Sequence, residues 1–133
     1  MRCTLKILDS DHCIAILRGQ LDLRDWVLPS DELAVTSINV AELIHGAHKS
    51  SQTAKHLAQV DVLLAAFRVL PFDEQAARRC GWLKATLEKA GAPLHLADLQ
   101  IAAIALRHNL PLVTHNEKHF RRIPNLQLED WLA

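Results

Sequence analysis

The chain has 133 residues, half of them hydrophobic, with 15 basic and 15 acidic side chains and a formal net charge of zero. That length suits one domain over residues 1–133 with a real core, and that composition excludes a disordered chain. A neutral balance also excludes capture of nucleic acid by bulk positive charge, so such a partner would need a local basic patch or a metal.

Strand and helix signals alternate from the start. Residues 5–8 read as a short strand, and residues 11–17 as a helix stopped by Gly19. The mixed charges and Pro29 of residues 20–32 predict a loop with one helical turn. Residues 33–38 form an apolar, β-branched run, the second predicted strand. Asn39 is expected to open a helix ending near Gly46 or Ala47, and Ser50 or Ser51 to cap another that runs to about Ala66. Leu57, Val60, Leu63 and Leu64 recur there at helical spacing. Residues 68–72 read as a strand. Asp73 caps a helix over residues 74–90, which Gly91 ends. Residues 94–107 predict a helix apolar almost all round, hence buried. Residues 110–114 form a strand, 117–121 a helical turn, and 126–128 an edge strand. This alternation implies an α/β protein: a mostly parallel sheet of about five short strands between two helical layers.

Right-handed crossovers would place the strand C-termini on one edge, where ligands collect. Asp9, Glu42 and Asn116 follow three predicted strand ends, and Asp98 enters at the start of the buried helix. Three carboxylates gathered there repel one another unless a divalent cation neutralises them, which points to metal-assisted phosphoester chemistry. Each residue also has a plainer reading. Asp9, Ser10 and Asp11 offer more capping groups than one helix start needs. Asn39-x-x-Glu42 approaches a capping box. Asp98 could be a first-turn acid favoured by the helix dipole, although it is the one acid in a long apolar stretch and needs an offset for its charge. Asn116 could cap the turn that follows it.

The eight histidines include the pairs His45/His48 and His115/His119, but neither continues into a zinc-ligand spacing, and His115 and His119 are expected near the pocket. Lys118, Arg121 and Arg122 follow Asn116, and Arg78, Arg79 and Lys84 lie on a predicted helix. They read either as solvated faces or as a phosphate-contacting rim. Cys3, Cys13 and Cys80 form no CxxC pair, which predicts a reducing compartment. No apolar run approaches the roughly 20 residues that span a bilayer, and residues 1–6 lack a signal-peptide stretch. A soluble, cytoplasmic protein without a membrane partner is expected.

At this point four segments in order carry a resemblance: ILDSDHCIAILRG at 7–19, LAVTSINVAELIHGAHKS at 33–50, VLPFDEQAARRCGWL at 69–83, and GAPLHLADLQIAAIALRHNLPLVTHNEKHFRRIPNLQLEDW at 91–131. Together they cover nearly the whole chain, which resembles a PIN-domain ribonuclease of the VapC toxin type. The resemblance implies a compact α/β/α sandwich and an endoribonuclease of a type II toxin–antitoxin pair. It further implies a Mg²⁺ or Mn²⁺ site, a homodimer, and a cognate antitoxin whose C-terminal segment wraps the toxin groove. Asp9, Glu42 and Asp98 match the three family acids, and Asn116 stands at the fourth position, often Asp in the family. Asp9 and Asp98 would hold the metal, with Glu42 orienting or deprotonating the attacking water on an RNA phosphodiester. Ser10 or Thr114 would hold a ligand carboxylate or a phosphate oxygen.

Two other readings fit parts of the chain. Asp9-x-Asp11 after an apolar strand resembles the nucleophile motif of dehalogenase-like phosphatases, where Asp9 would be phosphorylated and Asp11 would act as acid and base. The later elements of that motif are not evident. A catalytically inactive PIN fold serving as an RNA-binding or dimerisation module is the non-enzyme alternative, motivated by Asn116.

Overall fold

The computed structural model describes residues 4–133. Cys3 lies outside them. In chain order the elements are β1 (Leu5–Leu8), α1 (Ser10–Leu17), a 3-10 turn (Leu23–Asp25), β2 (Glu32–Thr36), α2 (Ser37–Lys49), α3 (Thr53–Ala65) and β3 (Arg68–Leu70). There follow α4 (Glu74–Lys89), α5 (Leu96–His108), β4 (Leu112–Val113), α6 (Glu117–Phe120) and β5 (Leu128–Glu129). The five strands form one sheet in the order β3-β2-β1-β4-β5, and every neighbouring pair is parallel.

Period-two alternation divides the strand side chains between two cores. Ile7, Ala34, Leu70 and Leu112 face a layer built from α4, α5 and α6. Leu8, Val35 and Val113 face the opposite layer, where Cys13 of α1, Leu43 of α2 and Val60 of α3 meet them. The protein is therefore a three-layer α/β/α sandwich. As its composition predicts, α5 is buried from Leu99 through Ala105 apart from the half-buried Gln100.

Several boundaries move for local reasons. Helix α2 begins at Ser37, two residues before the expected Asn39, because Thr36 is the N-cap. Its hydroxyl accepts from the Asn39 amide N–H at 3.1 Å, while the Asn39 carboxamide oxygen accepts from the Thr36 N–H at 2.9 Å. The capping box is thus Thr36/Asn39, and Glu42 is not part of one. Ser50 does not open α3; it is the C-cap of α2, and α3 starts after Gln52 without a side-chain cap. Strands β3 and β4 are shorter than predicted, and α5 starts at Leu96. Gly19 takes φ +70°, the left-handed geometry that stops α1.

The order of strands decides where a site can form. From β1 the chain crosses first to β2 and later, through α4 and α5, to β4 on the other side. The C-terminal ends of β1 and β4 therefore border the crevice where the winding reverses. No helix among the described residues is long and apolar enough to cross a membrane.

Candidate active site

Asp9 leaves the end of β1 into that crevice and caps α1. It is 8% exposed, so its carboxylate must be held by protein donors. Oδ1 accepts from the Ser10 N–H at 2.9 Å and from the Asn39 Nδ2 at 3.0 Å. Oδ2 accepts from the Thr114 hydroxyl at 2.8 Å, from beyond the end of β4. Burial raises its pKa from 3.8 to about 6, helped by repulsion from Asp11 and, more weakly, from Glu42, against the lowering hydrogen bonds of Thr114 and Ser10.

Asp9, Ser10, Asp11, Glu42, Asp98, His115 and Asn116 line one open cleft. The structure thus brings together Asp9, Glu42, Asp98, Asn116 and Ser10, with Thr114 buried directly beneath. Glu42, exposed on α2, accepts from the Ser10 hydroxyl at 2.7 Å. Asp98 sits in the first turn of α5. Its side chain is 19% exposed, less buried than the surrounding apolar sequence suggests, and its Oδ2 lies 3.7 Å from the His119 ring. Asn116 contacts the same ring at 2.9 Å and does not cap α6 through its side chain.

The expected basic rim is only partly available. Arg121 pairs with Glu117 at 3.4 Å, and Arg122 donates to the Pro93 carbonyl at 3.1 Å. His115 lines the cleft but pairs with Asp130 at 2.9 Å, while His119 turns to Asn116 and Asp98.

Asp11 behaves differently from Asp9. Burial pushes its pKa up, but hydrogen bonds from His12 and from the His115 N–H outweigh this and hold the carboxyl below its ordinary value. A carboxyl held below its ordinary value is the opposite of what a phosphatase acid at Asp11 requires. His12 is fully buried; its Nε2 accepts from the Trp131 N–H at 3.0 Å, so its Nδ1 carries the proton toward Asp11 at 2.7 Å. Trp131 in turn stacks on Trp26, with ring centroids 5.5 Å apart. The C-terminal segment is thereby tied to the floor of the cleft.

A family model described as PIN domain matches residues 6–126. The chain belongs to the PIN-domain family. This PIN domain is 35% identical over 127 residues to the tRNA(fMet)-specific endonuclease VapC of Salmonella typhimurium, spanning 94% of this chain and 96% of that protein. It is 40% identical over 105 residues to Ribonuclease VapC1 of Haemophilus influenzae, covering 79% and 78% of the two chains. The crystal structure of DNA-bound VapBC from Salmonella typhimurium matches it with a TM-score of 0.88 and 33% identity, over 98% of this chain and 99% of that one.

Sequence reasoning missed two residues that organise this PIN domain's cleft. Asn39 is fully buried, and its carboxamide oxygen is held by both the amide and the hydroxyl of Thr36. That fixes which end is NH₂ and aims it at Asp9 and at the Ser10 hydroxyl, the latter at 3.1 Å. The signal was the pair Thr36-x-x-Asn39, a cap spacing outweighed by the β-branched run around it. His12 gave no signal beyond lying next to Asp11.

Proposed function

We propose that this PIN domain is a Mg²⁺- or Mn²⁺-dependent endoribonuclease, the toxin of a type II toxin–antitoxin pair. The observation that carries the reading is Asp9: a buried carboxylate, pushed up to about 6, in a cleft shared with Asp11, Glu42 and Asp98. Such a concentration of negative charge costs stability unless a cation offsets it. Among the described residues, no three His, Cys, Asp or Glu side chains are already closed on a common point. The donor set still fits the ion. Its oxygen donors suit a hard divalent cation, and Glu42 and Asp98 line the same cleft as Asp9.

Asp9 and Asp98 would hold the ion with Glu42. When bound, it supplies Lewis-acid polarisation of the phosphate and a lowered pKa for water. The remaining work falls to the chain's own groups. Thr114, Ser10 and Asn39 hold Asp9 in one rotamer, so it cannot turn away from the cleft. The Ser10 hydroxyl steadies Glu42, which orients the attacking water and takes its proton. Asn116 places a neutral carboxamide beside a phosphate oxygen where a fourth carboxylate would repel it.

RNA is the proposed substrate, the cytoplasm the proposed compartment, and a homodimer the proposed assembly. The fold matches VapBC structures, among them VapBC-5 from Mycobacterium tuberculosis, a member of the VapBC family of toxin–antitoxin systems, which supports an antitoxin partner. A groove among α1, α2 and α3, lined by Ile14, Leu17, Leu43 and Val60, fits an apolar segment of it and shares Glu42 with the cleft. An occupant there would cover the cleft wall.

The test is cleavage of a mixed tRNA and ribosomal RNA pool with Mg²⁺, Mn²⁺ or EDTA, beside Asp9→Asn and Asp98→Asn. Discrete metal-dependent cuts, lost in both variants, are expected. RNA retained without cleavage under every condition would replace the nuclease with an inactive binding module.

A further inference from the structure

We propose that the outer flank of α4 is a second RNA-contacting surface, on which Trp82 stacks an unpaired base while Arg78 and Arg79 meet phosphates. This rests on the nuclease reading above and adds to it where the RNA is held.

The sequence of α4 sorts its side chains by face. Ala76, Cys80, Leu83 and Leu87 are buried against the core. On one flank, at the three- and four-residue spacing that makes helix neighbours, stand Gln75, Arg78, Arg79, Trp82 and, two turns on, Lys89. Of the helix's two carboxylates, Glu88 falls toward the other flank, while Glu74 stands one turn before Arg78 and pairs with it. Gln75, Arg78, Arg79 and Trp82 together line an open hollow on the surface.

Trp82 is 55% exposed. Of the other two tryptophans, Trp131 is buried and Trp26 stacks on it. Among the described residues Trp82 meets no aromatic ring and no cation, so one face of a large π-system is left to solvent. Arg79 has no carboxylate within ion-pair distance among the described residues, and Arg78 has only the exposed, weak pair with Glu74 at 3.0 Å. An unpaired arginine beside an open indole is the chemistry that holds single-stranded nucleic acid: cations on the backbone and a ring under a base.

The acidic cleft is complemented by such a surface. Its lining carries Asp9, Asp11, Glu42 and Asp98, which repel phosphates, and the chain as a whole has no net charge. Near the cleft, Arg122 donates to the Pro93 carbonyl, Arg121 keeps an exposed pair with Glu117, and Lys118 has no ion pair among the described residues. Cations placed outside the cleft lining add to the affinity for RNA that a bound metal ion would supply. Helix α4 begins at the end of β3, on the sheet edge that bears the cleft. Two strand spacings, one layer and two turns of helix put Trp82 roughly 20 Å from Asp9, within the span of one folded RNA. A second copy of this chain fits the flank poorly, because a two-fold contact would set Arg78 and Arg79 against their own equivalents.

The experiment is filter binding of tRNA to the full chain in EDTA, where no cleavage intervenes, across a range of salt. W82A should weaken binding roughly tenfold or more, the usual loss for one stacked base. R79A should make the slope of log affinity against log salt shallower by about one, as loss of one phosphate contact does. Wild-type affinity and slope in both variants would overturn the surface while leaving the nuclease reading intact. If the wild-type chain retains no RNA in EDTA, the surface is overturned, and the cleavage assay with Mg²⁺ or Mn²⁺ separately decides the nuclease reading. Sedimentation showing that W82A splits a dimer would assign the flank to a second copy and overturn the proposal.

Discussion

Asp9→Asn should stabilise the metal-free protein at pH 8, although it removes a group with three hydrogen-bond partners. The reason is the charge. In the fold the Asp9 pKa is about 6, against an ordinary aspartate value of 3.8. A carboxyl whose folded pKa is raised binds more protons folded than unfolded between those values, so stability falls as pH climbs from about 4 through 6. Above that window the penalty is complete, and at about 1.36 kcal/mol per pH unit it amounts to about 3 kcal/mol. The amide removes this penalty and fits the site. Its oxygen can keep the Ser10 N–H and Asn39 Nδ2 bonds now made to Oδ1. Its NH₂ can donate to the Thr114 oxygen, whose hydroxyl proton then turns toward Asp11 Oδ2, 3.4 Å away. Urea unfolding in EDTA at pH 8 and pH 4 tests this. The expected gain is about 2–3 kcal/mol at pH 8 and close to zero at pH 4. With Mg²⁺ in excess the order should reverse, because only the wild type binds the ion tightly. A variant less stable than wild type at pH 8 in EDTA, or a gain that ignores pH, would refute the electrostatic account of the cleft.

Asn39→Ala removes the reciprocal cap of α2 and leaves the buried Thr36 N–H without its partner. It should cost about 2–4 kcal/mol in urea unfolding and lower kcat more than Asp9 geometry alone predicts if Ser10 and Glu42 also lose register. Restoration of both by Asn39→Asp would show that the NH₂ group is dispensable. Asp98→Asn should change metal-free stability by less than about 1 kcal/mol, since its side chain keeps solvent contact and its ion-pair candidate among the described residues is the His119 ring at 3.7 Å. It should abolish the Mg²⁺-induced rise in Tm, and an undiminished rise would remove Asp98 from the ligand set. Burial first, then the charges of Asp9 and Asp11, push the Cys13 thiol up to about 12. Iodoacetamide at pH 8 followed by peptide mass spectrometry should leave Cys13 unlabelled until urea unfolds the chain; rapid native labelling would contradict its burial.

Much of this was legible locally. Periodicity marks β1, α4 and α5 because each buries one stripe or a whole surface, and Asp73 starts α4 where the sequence places it, while Asp9 caps α1 and starts it at Ser10, one residue early. The same locality explains the errors. Val35, Thr36, Ser37 and Ile38 are suited to a strand, and Thr36 and Asn39 are both good N-caps, so sequence places the start of α2 two residues late. The reciprocal Thr36–Asn39 bonds decide between them. Asp98 looks buried from its neighbours, but the first turn of α5 opens at the sheet edge and leaves it half in the cleft.

The sequence by itself determined the elements, their alternation and hence the layered α/β architecture, together with the family the chain resembles. Only the tertiary structure decided the chemistry of the cleft. Asp9 and Thr114 are 105 positions apart, and Asn39 reaches Asp9 across 30. No local pattern specifies such bonds. They exist because β1 lies between β2 and β4, an order set by the long crossover through α4 and α5. That order buries Asp9 beside other carboxylates, and burial beside like charge is what turns an ordinary capping aspartate into a group with a pKa near 6.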